Sequence, residues 1–255
     1  MISAVGVVVP ARNEENHIAR CLDSLATALA QLPPGVAHAV TLVLDRCEDN
    51  TAQNTAATAA RHPALRLEVV TNRGTCGVGS LRDLGLRRSL RALGHRPTDE
   101  IWLLSTDADS HVTPGWVLDH VRHADRGADA VAGMVELDDP ASLGPNGRAR
   151  YERLVAGGVL GGAHSHVYAA NLGVRADAYL AVGGFPATGS GEDHGLVRRL
   201  RAAGHPVVSA TDTRVQTSAR LVGRATGGLA DLLDGLRSDG PHSEGPHSEE
   251  PRHAG

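Results

Sequence analysis

An α/β fold with a mainly parallel central sheet flanked by helices is the architecture this sequence predicts, on three observations. Short apolar, β-branched runs alternate with segments of helical periodicity as far as Ser105. The links between successive runs are too long for hairpins, so the strands need crossovers and lie parallel. Each run also ends in a polar loop: Arg12-Asn13-Glu14, Asp45, Asn72-Arg73, and Asp107 with Asp109. Open α/β sheets bind ligands at the carboxyl ends of their strands, so these four loops gather at one working edge.

The elements follow in order. Residues 4–9 form a β-branched strand closed by Pro10, and Ile18, Cys21, Leu22, Leu25 and Leu29 recur at helical spacing. Pro33-Pro34-Gly35 stops that helix, and residues 39–44 form a second strand ending at Asp45. A helix over 51–61, capped by Asp49 or Asn50, leads to a third strand at 65–70. A helix over 78–93 precedes the strand 101–105. The second half is less regular: strands at 130–137, 167–174 and 206–210, helices at 148–155, 193–203 and 227–236. From residue 238 the chain becomes a Gly-Pro-His-Ser-Glu repeat with nothing to bury, so 238–255 is expected to be a disordered tail and 1–237 one domain.

Composition narrows the function classes. Hydrophobic residues make up 41% and aromatics 2%, which calls for a largely aliphatic core. Every basic residue is Arg, which removes a lysine Schiff base and a P-loop lysine and points to a GC-rich, bacterial coding genome. A net charge of −4 without a basic run argues against nucleic-acid binding. Cys21, Cys47 and Cys76 have no CxxC spacing and fit a reducing cytoplasm. No apolar run approaches the ~20 residues of a membrane span, and the N-terminus has no leader pattern. A cytoplasmic protein is expected, with peripheral membrane contact left open.

The most informative stretch is Ile101-Trp102-Leu103-Leu104-Ser105-Thr106-Asp107-Ala108-Asp109-Ser110, a buried strand opening onto two carboxylates at i and i+2. Such a pair suits a hard divalent cation, and the cation suits a diphosphate. Glu14 and Asp45 can accept hydrogen bonds from a nucleobase N–H and ribose hydroxyls, or serve as turn and cap carboxylates. Arg12 can contact phosphate or stand in solvent. The glycine-rich segment 72–79 has neither the dinucleotide Gly-x-Gly-x-x-Gly spacing nor a P-loop lysine. His164 and His166 fall on one face of a strand; metal ligation is possible at that spacing, but no Cys or third His is obvious nearby, which favours polar lining of a cleft. Glu192-Asp193 opens a helix after a glycine-rich turn, where a carboxylate is also simply favourable against the helix dipole.

Pro10-Ala11-Arg12-Asn13-Glu14, Val43-Leu44-Asp45, Asp107-Ala108-Asp109, and Gly183-Gly184-Phe185-Pro186 followed by Glu192-Asp193 together resemble, in order, the motifs of the family 2 glycosyltransferases of GT-A fold. The resemblance covers residues 3–225 and implies a nucleotide-binding half, 1–110, and an acceptor-binding half, 111–237. It implies Asp109 as ligand of Mg²⁺ or Mn²⁺, with Asp107 sharing the metal or contacting ribose. It implies Arg82 facing the diphosphate or pairing with the Asp-x-Asp, Asp193 as the base and Glu192 as orienter of the acceptor, with His194 a weaker alternative base. Gly184 and Phe185 belong to its acceptor side. Some relatives take a further His ligand from a later segment; Gln216-Thr217-Ser218-Ala219-Arg220 has none, although Arg220 and Arg224 can reach the diphosphate as basic residues there do in relatives. The Gln-x-x-Arg-Trp motif of processive members is absent. The expected activity is inverting, metal-dependent transfer of one sugar from a nucleoside diphosphate donor, UDP-sugar favoured and GDP-sugar possible, to a small-molecule or lipid-linked acceptor hydroxyl or amine. A nucleotidyltransferase would carry a Gly-rich loop with Arg and Lys after the first strand, where this chain has Pro10-Ala11-Arg12. A non-catalytic nucleotide-sugar-binding protein would have no need of both acidic pairs.

Overall fold

The computed structural model describes residues 1–160, 163–164, 166–187, 190–220 and 233–235. Its elements run β1 (Ala4–Ala11), α1 (Ile18–Leu29), β2 (Ala37–Asp45), α2 (Thr51–Arg61), β3 (Leu67–Asn72), α3 (Val78–Leu93), β4 (Ile101–Ser105), β5 (Ser110–Val112) and α4 (Trp116–Asp125). They continue with β6 (Ala130–Leu137), α5 (Gly144–Gly157), β7 (Val159–Leu160), β8 (Ala163–His164), β9 (Leu172–Arg175), α6 (Ala176–Ala181), α7 (Glu192–Ala202) and β10 (Val207–Thr217). The expected helix over 227–236 and the tail 238–255 lie almost wholly outside the described residues.

Among the described residues, eight strands form one sheet in the order β3-β2-β1-β4-β9-β6-β10-β5. The four N-terminal strands are parallel, as the crossover lengths require. The other half is mixed: β9 runs antiparallel to both β4 and β6, and β5 antiparallel to β10. The reason is the route between β6 and β9. Helix α5 and the β7–β8 hairpin stay at the edge where β6 ends, so the chain re-enters the sheet from that edge and must run back.

β1 explains why the sheet is covered on both sides. Its side chains alternate between faces. Val5, Val7 and Val9 join Leu22, Leu25 and Trp116 in one core, while Ala4 and Val8 join Leu81, Leu86 and Leu196 in the other. The apolar face of α1 expected from its spacing, Ile18, Cys21, Leu22, Leu25 and Leu29, is the face it buries. The few aromatics are spent inside: Trp102, Trp116 and Tyr179 are among the largest fully buried side chains. Helix α4 has little aliphatic periodicity because its buried face is carried by Trp116, Val117, His120 and Ala124.

His120 sits fully buried between Trp102 and Trp116, with Nε2 3.0 Å from Asn171 Oδ1. Trp116 Nε1 donates to that same oxygen. Burial, helped by the charge of His123 and opposed by the Asn171 hydrogen bond and by Asp212, lowers the His120 pKa to about 4. The fold therefore prefers neutral imidazole. The stability this gives is complete above the unfolded pKa near 6.5 and is lost as pH falls from there towards 4. Urea unfolding is expected to lose about 3 kcal/mol to this group across that window, and the loss should shrink in His120→Leu; an unchanged pH slope in that variant would reject the assignment.

Candidate functional site

The strand ends converge as the sequence requires. Beyond β1, Asn13 takes a left-handed φ of 53°, which lets its Oδ1 accept from the Glu48 N–H at 2.8 Å. The Glu14 N–H donates to Thr51 Oγ1 at 2.7 Å, fixing the β1 loop against the start of α2. Pro10 and Ala11 complete the strand end and are largely buried, while Arg12 reaches outward with Nη1 4.0 Å from Asp45 Oδ2. The Asp45 carboxylate also accepts both Nε and Nη2 of Arg46 at 3.1 Å and Nδ2 of Asn72 at 2.7 Å. Burial pushes Asp45 up, but these hydrogen bonds and the charges of Arg46 and Arg12 hold it below the usual carboxylate range. The result is a carboxylate kept ionised with donors on both flanks.

Beyond β4 the chain turns through Asp107-Ala108-Asp109. Ala108 faces the core and is 2% exposed, so the two aspartates at i and i+2 face the cleft. Asp107 accepts Arg82 Nη2 at 2.6 Å. Asp109 accepts Arg220 Nη2 at 2.8 Å, and Arg220 Nη1 donates to Glu14 Oε1 at 2.7 Å. Burial, with the Asp107 charge added and Arg220 opposing, raises the Asp109 pKa to about 7. A carboxylate in that setting is ionised at neutral pH only beside positive charge. Two adjacent hard-oxygen carboxylates, one of them so raised, fit a divalent cation that draws its remaining ligands from a diphosphate and water. Among the described residues, no group of three or more His, Cys, Asp and Glu is placed to hold a metal by itself.

Arg82 ties the end of β4 to the start of α7. It stands on α3, is 4% exposed, and donates to Ser105 Oγ at 2.8 Å, to Asp107, and through Nε to Glu192 Oε1 at 3.3 Å. Its guanidinium pairs with the Asp-x-Asp through Asp107. Helix α3 comes this close to the acceptor loop because its first turn is small: a Cβ at Gly79 would lie 2.1 Å from the Pro186 carbonyl. Burial raises the Glu192 pKa, with Arg82 opposing and Asp193 and Asp107 adding to the rise. Asp193 is half-buried; its Oδ2 accepts from the Ala169 N–H at 3.0 Å and its Oδ1 from the His194 N–H at 2.7 Å.

The residues expected on the acceptor side separate into two kinds. Gly184, with φ 76°, and Phe185 are buried; the Phe185 N–H donates to Tyr179 Oη at 3.0 Å, and Tyr179 donates to Asp83 at 2.8 Å. His164 is 5% exposed with Nε2 3.2 Å from the Ala210 carbonyl. His166 is half-buried, and its ring stacks between those of His164 and Tyr168 at 5.9 and 5.7 Å. Tyr168 precedes the residue that holds Asp193, and burial together with the Asp193 charge raises its pKa. Residue order did not signal Ser105, which accepts from Arg82, Tyr179, which donates to Asp83, or Thr217, whose Oγ1 lies 3.5 Å from Asp109 Oδ1: each is an ordinary strand or helix residue until the fold sets it there. Arg224 lies outside the described residues.

The description "Glycosyltransferase like family 2" fits residues 3–222. The chain belongs to that family. A search of curated proteins found no match. Among solved structures, the chain is similar to the mannosyltransferase PcManGT from Pyrobaculum calidifontis in complex with GDP-Man and Mn²⁺, with TM-score 0.62, 20% identity, and coverage of 84% of this chain and 56% of that one. It is similar to S. aureus TarS, with TM-score 0.62, 17% identity, and coverage of 92% and 42%. It is also similar to the Mycobacterium tuberculosis glucosyl-3-phosphoglycerate synthase in complex with phosphoglyceric acid, with TM-score 0.52, 18% identity, and coverage of 92% and 76%. The chain thus spans about half the length of the first two, and at identities this low the likeness shows the shared GT-A fold alone. No helix among the described residues is long and apolar enough to cross a membrane.

Proposed function

We propose that this chain is a metal-dependent, inverting glycosyltransferase that moves one sugar from a nucleoside diphosphate sugar to an acceptor hydroxyl or amine. The observation that carries the reading is the meeting of Glu14, Asp45, Asp107 and Asp109 at one sheet edge, joined through Arg82 to Glu192 at the start of α7. Residues 1–110 supply the donor side and 111–237 the acceptor side. Asp45 takes the N–H of the base, with Arg12 and Asn72 offering donors beside it. That pattern suits uracil, whose N–H lies between two carbonyls, and does not exclude guanine. Pro10, Ala11 and Asn13 shape the wall of the same pocket, and Glu14 faces the ribose side.

Asp109, with Asp107 beside it, would hold Mg²⁺ or Mn²⁺; the bound cation would offset diphosphate charge and stabilise the leaving nucleoside diphosphate. Asp193 takes the proton of the acceptor as its oxygen or nitrogen attacks the anomeric carbon and the bond to the diphosphate breaks. Glu192, locked to Arg82, orients the acceptor. Gly184 and Phe185 set the loop over α3, and His164 and His166 form one wall of the acceptor cleft. A cytoplasmic location with peripheral membrane contact accords with a lipid-linked acceptor.

Thermal unfolding with UDP-, GDP- and dTDP-sugars plus Mn²⁺ tests the donor side. A donor at 100 times its dissociation constant is expected to stabilise the chain by about 2.7 kcal/mol, the uridine donor most. No shift with any of the three would sink the reading.

A further inference from the structure

Both carboxylates of the Asp-x-Asp motif are already held by guanidinium groups, and the two are not alike. The Arg82 side chain is 5% exposed, comes from the second turn of a sheet-packed helix, and has three partners. Arg220 is 28% exposed, stands three residues past the end of β10, and has two partners, Glu14 and Asp109. Those two carboxylates are themselves only 5% and 9% exposed. One side chain therefore covers both the carboxylate assigned to the nucleoside and the carboxylate assigned to the metal. Its backbone is fastened just before it: Ser218 N–H donates to the Asp109 carbonyl at 3.2 Å and Ala219 N–H to Asp138 Oδ1 at 3.2 Å. The long side chain can swing while its root stays in place.

We propose that Arg220 is a tethered cation that competes with a divalent metal for Asp109, and that an arriving diphosphate relieves the competition by giving Arg220 another partner. The proposal rests on the metal reading of Asp109 above. Its physics is simple. The Arg220 N–H occupies a lone pair of Asp109 Oδ2 and draws negative charge from it, and a divalent ion beside a guanidinium is repelled. A diphosphate changes both terms, because it adds oxygen ligands for the metal and is a bidentate partner for a guanidinium. Metal and nucleoside diphosphate should therefore bind cooperatively, and by reciprocity each should strengthen the other by the same factor. Residue order points Arg220 at a diphosphate but hides its hold on Glu14 and Asp109, which are over a hundred positions away.

Mn²⁺ titration followed by the electron paramagnetic resonance signal of free Mn²⁺ tests this on the full chain, with and without UDP. Arg220→Gln is expected to bind Mn²⁺ alone at least about ten-fold more tightly than the wild type. UDP should tighten Mn²⁺ binding to the wild type by about ten-fold or more, and by much less in Arg220→Gln. Arg220→Lys keeps the charge but cannot span two carboxylates, so it should fall between; it also serves if Arg220→Gln does not fold, as judged by circular dichroism. If both variants bind Mn²⁺ alone no more tightly than the wild type while Asp109→Asn abolishes binding, the competition is wrong and the metal reading stands. If Asp109→Asn binds Mn²⁺ as the wild type does, the metal reading falls and the competition with it.

Discussion

Asp193→Ala is expected to lower sugar transfer by about 10²- to 10⁴-fold, the usual contribution of a positioned general base, while leaving the affinity for the donor within about two-fold of the wild type. The separation follows from where Asp193 stands. It is on the first turn of α7, and its two oxygens accept the backbone N–H groups of Ala169 and His194. Those bonds fix the direction of the carboxylate without a cation, so its loss removes a proton acceptor and leaves the arginine-linked donor edge intact. Steady-state kinetics with donor and acceptor varied separately would show the fall in kcat at an unchanged donor KM. His194→Ala should stay near wild-type rates, since His194 is exposed and contributes to Asp193 its backbone N–H, which the substitution keeps. A rate for Asp193→Ala within ten-fold of the wild type would remove Asp193 as the base.

The placement of residues 1–110 was legible because its signals are local. A β-branched run followed by a polar turn places a carboxylate at a strand end whatever the rest of the chain does, so Glu14, Asp45, Asp107 and Asp109 could be assigned to one edge from residue order alone. The parallel sheet was legible for the same reason, since crossover length is read directly from the sequence. The second half was not. Strand β9 is four residues long and β10 runs to Thr217, well beyond the apolar stretch that announces it. Its pairing with β6 breaks register between Ala210 and Arg214, which explains why an alternation pattern stops short there. Helix α4 escaped because tryptophan and histidine carry its buried face, and α6 because it is only six residues long.

What no local signal encodes is the linkage between the halves. Arg82 could be placed on a helix near the acids, but its simultaneous hold on Ser105, Asp107 and Glu192 depends on α3 meeting α7 through the Gly79–Pro186 approach. The same holds for Tyr179 and Asp83 beneath the Gly184 loop, where a Cβ on Gly184 would lie 2.3 Å from an Asp83 oxygen. Glycines at 79 and 184 are visible in the sequence as turn residues; what they make room for is visible only in three dimensions.

Arg82→Met is expected to destabilise the fold by about 3 kcal/mol or more, the cost of leaving a buried charge without its partner. The loss should depend on pH in a direction that identifies the cause. Glu192 is 6% exposed, and burial already raises its pKa against the pull of Arg82. Without Arg82 that pKa rises further, so the folded state binds a proton that the unfolded state releases near pH 4.5. An acid raised in the fold costs stability as pH climbs above its unfolded pKa, and the cost is complete once pH passes the folded value. Urea unfolding of Arg82→Met should therefore show a smaller deficit at pH 5 than at pH 8. A deficit equal at both would mean that lost packing dominates. A methionine of similar length restores most of the volume and none of the hydrogen bonds, so packing loss is held small by design. Arg82→Lys should recover part of the stability by returning the charge. It should not recover transfer, because a single ammonium cannot hold Ser105, Asp107 and Glu192 in the fork geometry that sets the donor carboxylate against the acceptor carboxylate.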